Sequence, residues 1–115
     1  MSRHPNVLIH GPHDVTGALV DALTPFLRLP IHQVTSGGFV SPPACGTMIL
    51  DDVDGLNPEQ QQTLLGWLDE HASTETQVIS VTPAALHAHV QDGTFLNALY
   101  YRLNVIYLEV SPSSL

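Results

Sequence analysis

Apolar residues fall along this chain in two rhythms. Compact runs bounded by turn-forming residues recur at Val7-Leu8-Ile9, Met48-Ile49-Leu50, Val78-Ile79-Ser80-Val81 and Val105-Ile106-Tyr107-Leu108. Runs of that length read as buried strands, and Ile31 to Val34 is a shorter one. Between them the spacing turns helical. Val15, Leu19, Ala22, Leu23, Phe26 and Leu27 share one helix face, with Asp14 placed to N-cap it and Pro30 to stop it. Leu64, Leu65, Trp67 and Leu68 form the buried side of a second helix, and Glu59, Gln62, Asp69 and Glu70 its polar side. Asn57, Pro58 and Gln60 supply that helix with a capping box and a proline at its first turn. A short helix carrying Leu86 and Val90 is expected to open at Pro83, and a last one to run from Phe95 to Leu103. Thr35 to Cys45 reads as a loop, and Asp92-Gly93 as a turn. Strands alternating with helices predict an α/β fold: a three-layer αβα sandwich around a mostly parallel sheet of about five strands. No composition shift marks a second domain, so residues 1–110 are expected to form one unit and 111–115 a tail.

Composition narrows the function. At 115 residues with 43% hydrophobic and 12% charged positions, the chain has the makings of one folded domain. Its net charge is −8, with three arginines and no lysine. Nucleic-acid binding needs a basic surface, so no direct nucleic-acid partner is expected, and an anionic membrane is disfavoured for the same reason. No apolar run reaches the ~18 residues that span a bilayer, and no signal peptide is visible, which points to the cytoplasm. Cys45 is the lone cysteine, so no internal disulfide is expected, and nothing near it would activate the thiol. The seven histidines do not assemble a metal site on paper. His87 and His89 would sit about 200° apart on a helix, and His10 and His13 lack a third ligand. Ser36 and Ser80 lack the glycine-flanked elbow of a catalytic serine.

The chemistry that does stand out is Gly46-Thr47-Met48-Ile49-Leu50-Asp51-Asp52, an apolar strand that ends in two carboxylates. Ligands of open α/β sheets bind at the carboxyl ends of the strands. Carboxylates there commonly hold Mg²⁺ or orient water in nucleotide hydrolases. A glycine-bearing turn follows the first strand at Gly11. The plainer reading of the same residues is a polar strand end and an ordinary strand-to-helix turn.

Four blocks in order, from Asn6 to Val110, make the chain resemble the AAA+ ATPase domain of bacterial σ54-dependent transcription activators. Val7-Leu8-Ile9-His10-Gly11 resembles the strand and first glycine of a Walker A segment. Gly46 to Asp52 resembles the Walker B strand, and Gln61 to Glu70 the helix after it. Gly93-Thr94-Phe95 with Leu99-Tyr100-Tyr101-Arg102-Leu103-Asn104-Val105 resembles the family's arginine-bearing block, and is the most specific of the four. The resemblance implies vestigial nucleotide-binding positions at Gly11, Gly17, Asp51 and Asp52. It also implies an interface or arginine-finger role for Tyr100, Tyr101 and Arg102.

The departures fall on the positions that handle nucleotide. A P-loop follows G-x-x-x-x-G-K-[ST]. Here Thr16 stands for the second glycine and Gly17 for the lysine, while Pro12 removes a backbone donor and Asp14 adds a negative charge. Asp52 stands for the family's glutamate, Pro83 for its sensor asparagine, and Leu96 and Ala98 for its first arginine and acidic residue. The loop from Gly37 to Cys45 lacks the family's σ54-contacting sequence, and the chain stops where the helical lid and DNA-binding domain would begin. The expectation is a non-catalytic, degenerate AAA+ domain with no catalytic residues, no cofactor and no metal. It would act in transcriptional regulation or signalling through a protein partner, either itself or an AAA+ relative. The alternative is a domain that still binds ATP·Mg²⁺ or hydrolyses it weakly. A receiver-like module is disfavoured by the missing lysine.

Overall fold

The computed structural model describes residues 4–43, 45–71 and 76–112. Among the described residues, five strands and four α-helices follow in the order β1 (Val7–His10), α1 (His13–Leu23), β2 (Ile31–Thr35), β3 (Thr47–Asp51), α2 (Pro58–Glu70), β4 (Gln77–Thr82), α3 (Leu86–Gln91), α4 (Asn97–Leu103) and β5 (Ile106–Glu109). The strands form one sheet in the order β2-β3-β4-β1-β5, and every pairing is parallel. The expected three-layer sandwich is therefore observed, with the sheet parallel throughout.

The two faces of the sheet follow from side-chain alternation along a strand. Ile9, Ile49, Ile79 and Val81 point to one face, where Val20 of α1 covers them. Leu8, Met48, Leu50 and Val78 point to the other and pack under Leu64, Trp67 and Leu68 of α2, Leu86 of α3, and Leu99 and Leu103 of α4. Burial on both faces explains why β1, β3 and β4 read as continuous apolar runs rather than as an alternation.

Local chemistry sets the element ends. The capping box of α2 is present: Gln60 N–H donates to Asn57 Oδ1 (2.8 Å), and Asn57 N–H donates to Gln60 Oε1 (2.9 Å). The expectations for α1 need correction. Pro12, not Asp14, occupies its N-cap position, and Asp14 lies inside the first turn, where a carboxylate suits the helix dipole. The helix ends at Leu23, and Thr24–Phe26 tighten into a 3-10 turn around Pro25. That change of pitch carries Phe26 off the apolar face and leaves it 84% exposed. Helices α3 and α4 begin at Leu86 and Asn97 rather than at Pro83 and Phe95. Phe95 is buried just ahead of α4. Gly46 is required by close approach, because a Cβ there would lie 2.6 Å from the Leu29 carbonyl oxygen. Of the expected loop from Thr35 to Cys45, residue 44 lies outside the described residues, as do 113–115 of the expected tail.

Candidate functional site

A cavity of about 310 Å³ lies between α1 and the carboxyl ends of β2 and β3. One face of α1 contributes His13, Thr16, Gly17, Val20 and Asp21; the strands contribute Gln33, Thr35 and the pair Asp51-Asp52. Asp51 ends β3 opposite Thr35 in the parallel register, and the Gln33 side-chain amide donates to its Oδ2 (2.8 Å). Asp52 follows in the left-handed region, at φ 55° and ψ 49°. Aspartate tolerates that conformation better than most side chains. From there its Oδ1 meets Nε2 of His13 at 2.5 Å, which ties the first turn of α1 to the end of β3. This hydrogen bond, with the charges of Asp52, Asp54 and Asp51, holds the His13 imidazole above its usual pKa. Three carboxylates line the cavity, with no arginine among its described lining residues. Such a surface attracts cations and repels anions.

The turn beside this cavity is short. Only Gly11 and Pro12 separate β1 from α1. Gly11 N–H donates to the Thr82 carbonyl oxygen (3.1 Å), and the N–H groups of Val15 and Thr16 both donate to the Pro12 carbonyl oxygen (3.0 and 2.9 Å). Thr16 and Gly17 are helical residues, not part of an open loop. Gly11 is a glycine for a packing reason: a Cβ would lie 2.6 Å from the Val110 carbonyl oxygen. Gly17 has open space around it. The four nucleotide-type positions thus separate. Gly17, Asp51 and Asp52 line the cavity, while Gly11 serves the contact with the chain after β5.

Tyr100, Tyr101 and Arg102 lie elsewhere. The Arg102 carbonyl oxygen accepts from the side chain of Asn6, ahead of β1, so α4 ends near the amino end of that strand. The cavity lies at the carboxyl ends. The Arg102 guanidinium pairs with Asp69 of α2 (2.5 Å), an ion pair with no local sequence signal across 33 residues. Tyr100 packs partly into the core, and Tyr101 is 65% exposed with its ring edge-on to Tyr100. Pro83 directly follows β4, and Thr82 and Ala84 bond to each other beside it.

Sequence reasoning missed the His13–Asp52 contact, which joins residues 39 apart, and the buried Gln61. Gln61 donates to the carbonyl oxygens of Leu56 and Thr94 and accepts from Leu96 N–H, which fixes the segment entering α4 against α2. The histidines do not converge. His10 bonds the Tyr107 hydroxyl, and no group of three or more metal-ligating side chains forms among the described residues. Burial pushes the Cys45 thiol up, which disfavours the reactive thiolate.

The fold is that of AAA+ nucleotide-binding domains. NtrX from Brucella abortus, solved in complex with ADP, aligns with a TM-score of 0.69 at 19% identity, over 96% of this chain and 32% of its own. AMPPCP-bound DnaA from Aquifex aeolicus aligns at 0.62 and 16% identity, over 95% of this chain and 41% of its own. In sequence, the chain is 33% identical over 85 residues to the HTH-type transcriptional regulatory protein TyrR of Citrobacter braakii, covering 65% of this chain and 16% of TyrR. It is 32% identical over 113 residues to the response regulator protein PilR of Pseudomonas aeruginosa, covering 90% of this chain and 22% of PilR. The chain thus spans about a fifth or less of the length of these curated relatives. The family described as Sigma-54 interaction domain matches residues 33–112, a span that begins downstream of the β1–α1 turn. This chain belongs to the Sigma-54 interaction domain family. In the described residues, no helix is long and apolar enough to cross a membrane.

Proposed function

We propose that this chain is a non-catalytic domain of the σ54-activator type that acts in bacterial transcriptional regulation through contact with another protein. The observation that carries this reading is the β1–α1 connection. A P-loop wraps phosphate in a run of free backbone N–H groups and adds a lysine. Here two residues make the turn, the N–H groups of Val15 and Thr16 bond back to the Pro12 carbonyl oxygen, and no lysine exists in the sequence. Three carboxylates face the cavity instead, and they oppose a polyphosphate. No cofactor is then required. The acidic net charge argues for a protein rather than a nucleic-acid or membrane partner, and a cytoplasmic site suits such a regulator.

The partner is a second copy or an AAA+ relative, and the contact face includes Tyr101 with Tyr100 and Arg102. Tyrosine and arginine are favoured interface anchors. A second reading, residual ATP·Mg²⁺ binding, is favoured by one feature: Asp51 and Asp52 both face the cavity, and NtrX was solved with ADP. Phosphate release tests for weak hydrolysis, and a thermal-shift titration with ATP·Mg²⁺ tests for binding. The protein is expected to turn over ATP no faster than its Asp51→Ala variant, and to recover itself or an AAA+ relative in pull-down, less so as Tyr101→Ala, Arg102→Ala. Turnover that depends on Asp51 would refute the proposal.

A further inference from the structure

Strand β5 lies at the edge of the sheet; among the described residues no strand pairs with its outer side, and both its faces are exposed. Ile106 (41%), Tyr107 (45%) and Leu108 (38%) are exposed on it, alternating between its two faces, and Val105 (60%) is exposed just ahead of it. With Tyr101, they account for five of the eight large hydrophobic residues exposed in the described chain. Natural edges are guarded by lysine, proline or a bulge, and the stretch from Val105 to Glu109 has no lysine and no proline.

The backbone fixes which residues can pair. Ile106 N–H donates to the Asn6 carbonyl oxygen, and Val110 N–H to that of His10. In a strand, successive residues turn their N–H and C=O groups to opposite sides. Tyr107 and Glu109 therefore present theirs to the open edge.

From this geometry we infer that two copies of the chain join β5 to β5 in antiparallel orientation, about a two-fold axis through Tyr107, to make one continuous ten-stranded sheet. This inference rests on the reading that the chain works by protein contact, and it names the partner as a second copy. The register satisfies three independent requirements. Tyr107 faces Tyr107 of the other copy as a hydrogen-bonded pair, so both outward N–H···O=C bonds are made. Ile106 faces Leu108, apolar against apolar. Glu109 faces Val105, so the one acidic residue of the stretch never meets its own copy, despite a net charge of −8. Aromatic and β-branched cross-strand pairs of this kind stabilise sheets. The four exposed side chains from Val105 to Leu108 offer roughly 350 Å² per copy, given ~150–250 Å² for a full aromatic side chain. Flanking backbone and neighbouring side chains must supply the rest of the ~1,000 Å² that a specific interface clears.

The test is sedimentation equilibrium of the 115-residue protein from micromolar to submillimolar concentration, with Tyr107→Glu and Tyr107→Lys. The wild type is expected to dimerise. Each variant, checked for folding by circular dichroism, should weaken dimerisation by roughly tenfold or more, because like charges then lie opposite each other. An equimolar mixture of the two should recover a dimer. A second measurement avoids dependence on those variants. Paired residues at such a position have Cα atoms about 5.5 Å apart, within disulfide reach, so Tyr107→Cys should cross-link on mild oxidation. A strict monomer, dimerisation indifferent to the variants, a mixture that stays monomeric, or no cross-link would each overturn the strand pairing. A monomer that neither binds ATP·Mg²⁺ nor loses its hold on an AAA+ relative would overturn the pairing and leave the proposed function standing. Asp51-dependent turnover would refute that function without touching the pairing.

Discussion

Replacing Gln61 with leucine should cost this protein a large part of its stability. Gln61 is 1% exposed, and its side chain holds three backbone groups: the Leu56 and Thr94 carbonyl oxygens, each at 2.9 Å, and Leu96 N–H at 2.8 Å. Leucine fills nearly the same volume but satisfies none of them. The bond to Leu56 is buried, and stranding a buried acceptor costs about 1–3 kcal/mol. The other two lie where water can partly reach, so each is worth nearer 1 kcal/mol. Extra apolar surface from leucine offsets about 1 kcal/mol, leaving a net loss of about 3 kcal/mol. Against the 5–15 kcal/mol of a typical domain that is a severe change, and it corresponds to a fall in melting temperature of roughly 10–15 °C. Urea unfolding followed by fluorescence measures it directly. The single tryptophan, Trp67, is buried in the same helix with its indole N–H bonded to the Pro42 carbonyl oxygen (2.7 Å). A loss below about 1 kcal/mol would mean that the three contacts are not the joint they are taken to be.

Two other sites test the account of α1. Gly11→Ala should destabilise by about 1–3 kcal/mol, because its Cβ meets the Val110 carbonyl oxygen as well as that residue's side chain. Gly17→Ala, in open space on a helix, should stabilise by about 0.5–1 kcal/mol. The reverse order in thermal melts would contradict the packing argument. The His13–Asp52 contact makes stability depend on pH. The folded state raises the imidazole pKa, so its contribution is fully present below about pH 6.5 and is lost as pH rises through the folded value. Wild type should therefore exceed His13→Ala by more at about pH 6 than at about pH 8.5, and an equal gap at both would count against it.

What the sequence revealed tracks how local the physics is. The strands are legible because burial on both faces leaves unbroken apolar runs, and the start of α2 because Asn57 and Gln60 cap it within four residues. The end of α1 misleads because helical spacing carries on past the true stop. Pro25 tightens the last turn and swings Phe26 outward, although Phe26 keeps the period of Leu19 and Leu23. Asp14 looks like a cap, yet Pro12 already sits where the cap belongs. At the candidate site, Asp51 and Asp52 are legible as a strand end. Their partners are not, because His13 and Gln33 arrive from other elements and no periodicity announces them. Likewise Arg102 reads as free for a neighbour until Asp69 is found beside it. Gln61 was invisible for a related reason: a polar residue inside a helix reads as surface unless three distant backbone groups need it.

A thermal-shift titration with ATP·Mg²⁺ and ADP·Mg²⁺ tests the central claim most directly. A site filled at about 100 times its Kd adds about 2.7 kcal/mol to stability. With a two-residue β1–α1 turn, no lysine and an acidic cavity, the melting temperature should stay unchanged up to millimolar nucleotide, for the protein and for Asp51→Ala alike. A saturable upward shift that disappears in Asp51→Ala would contradict the account.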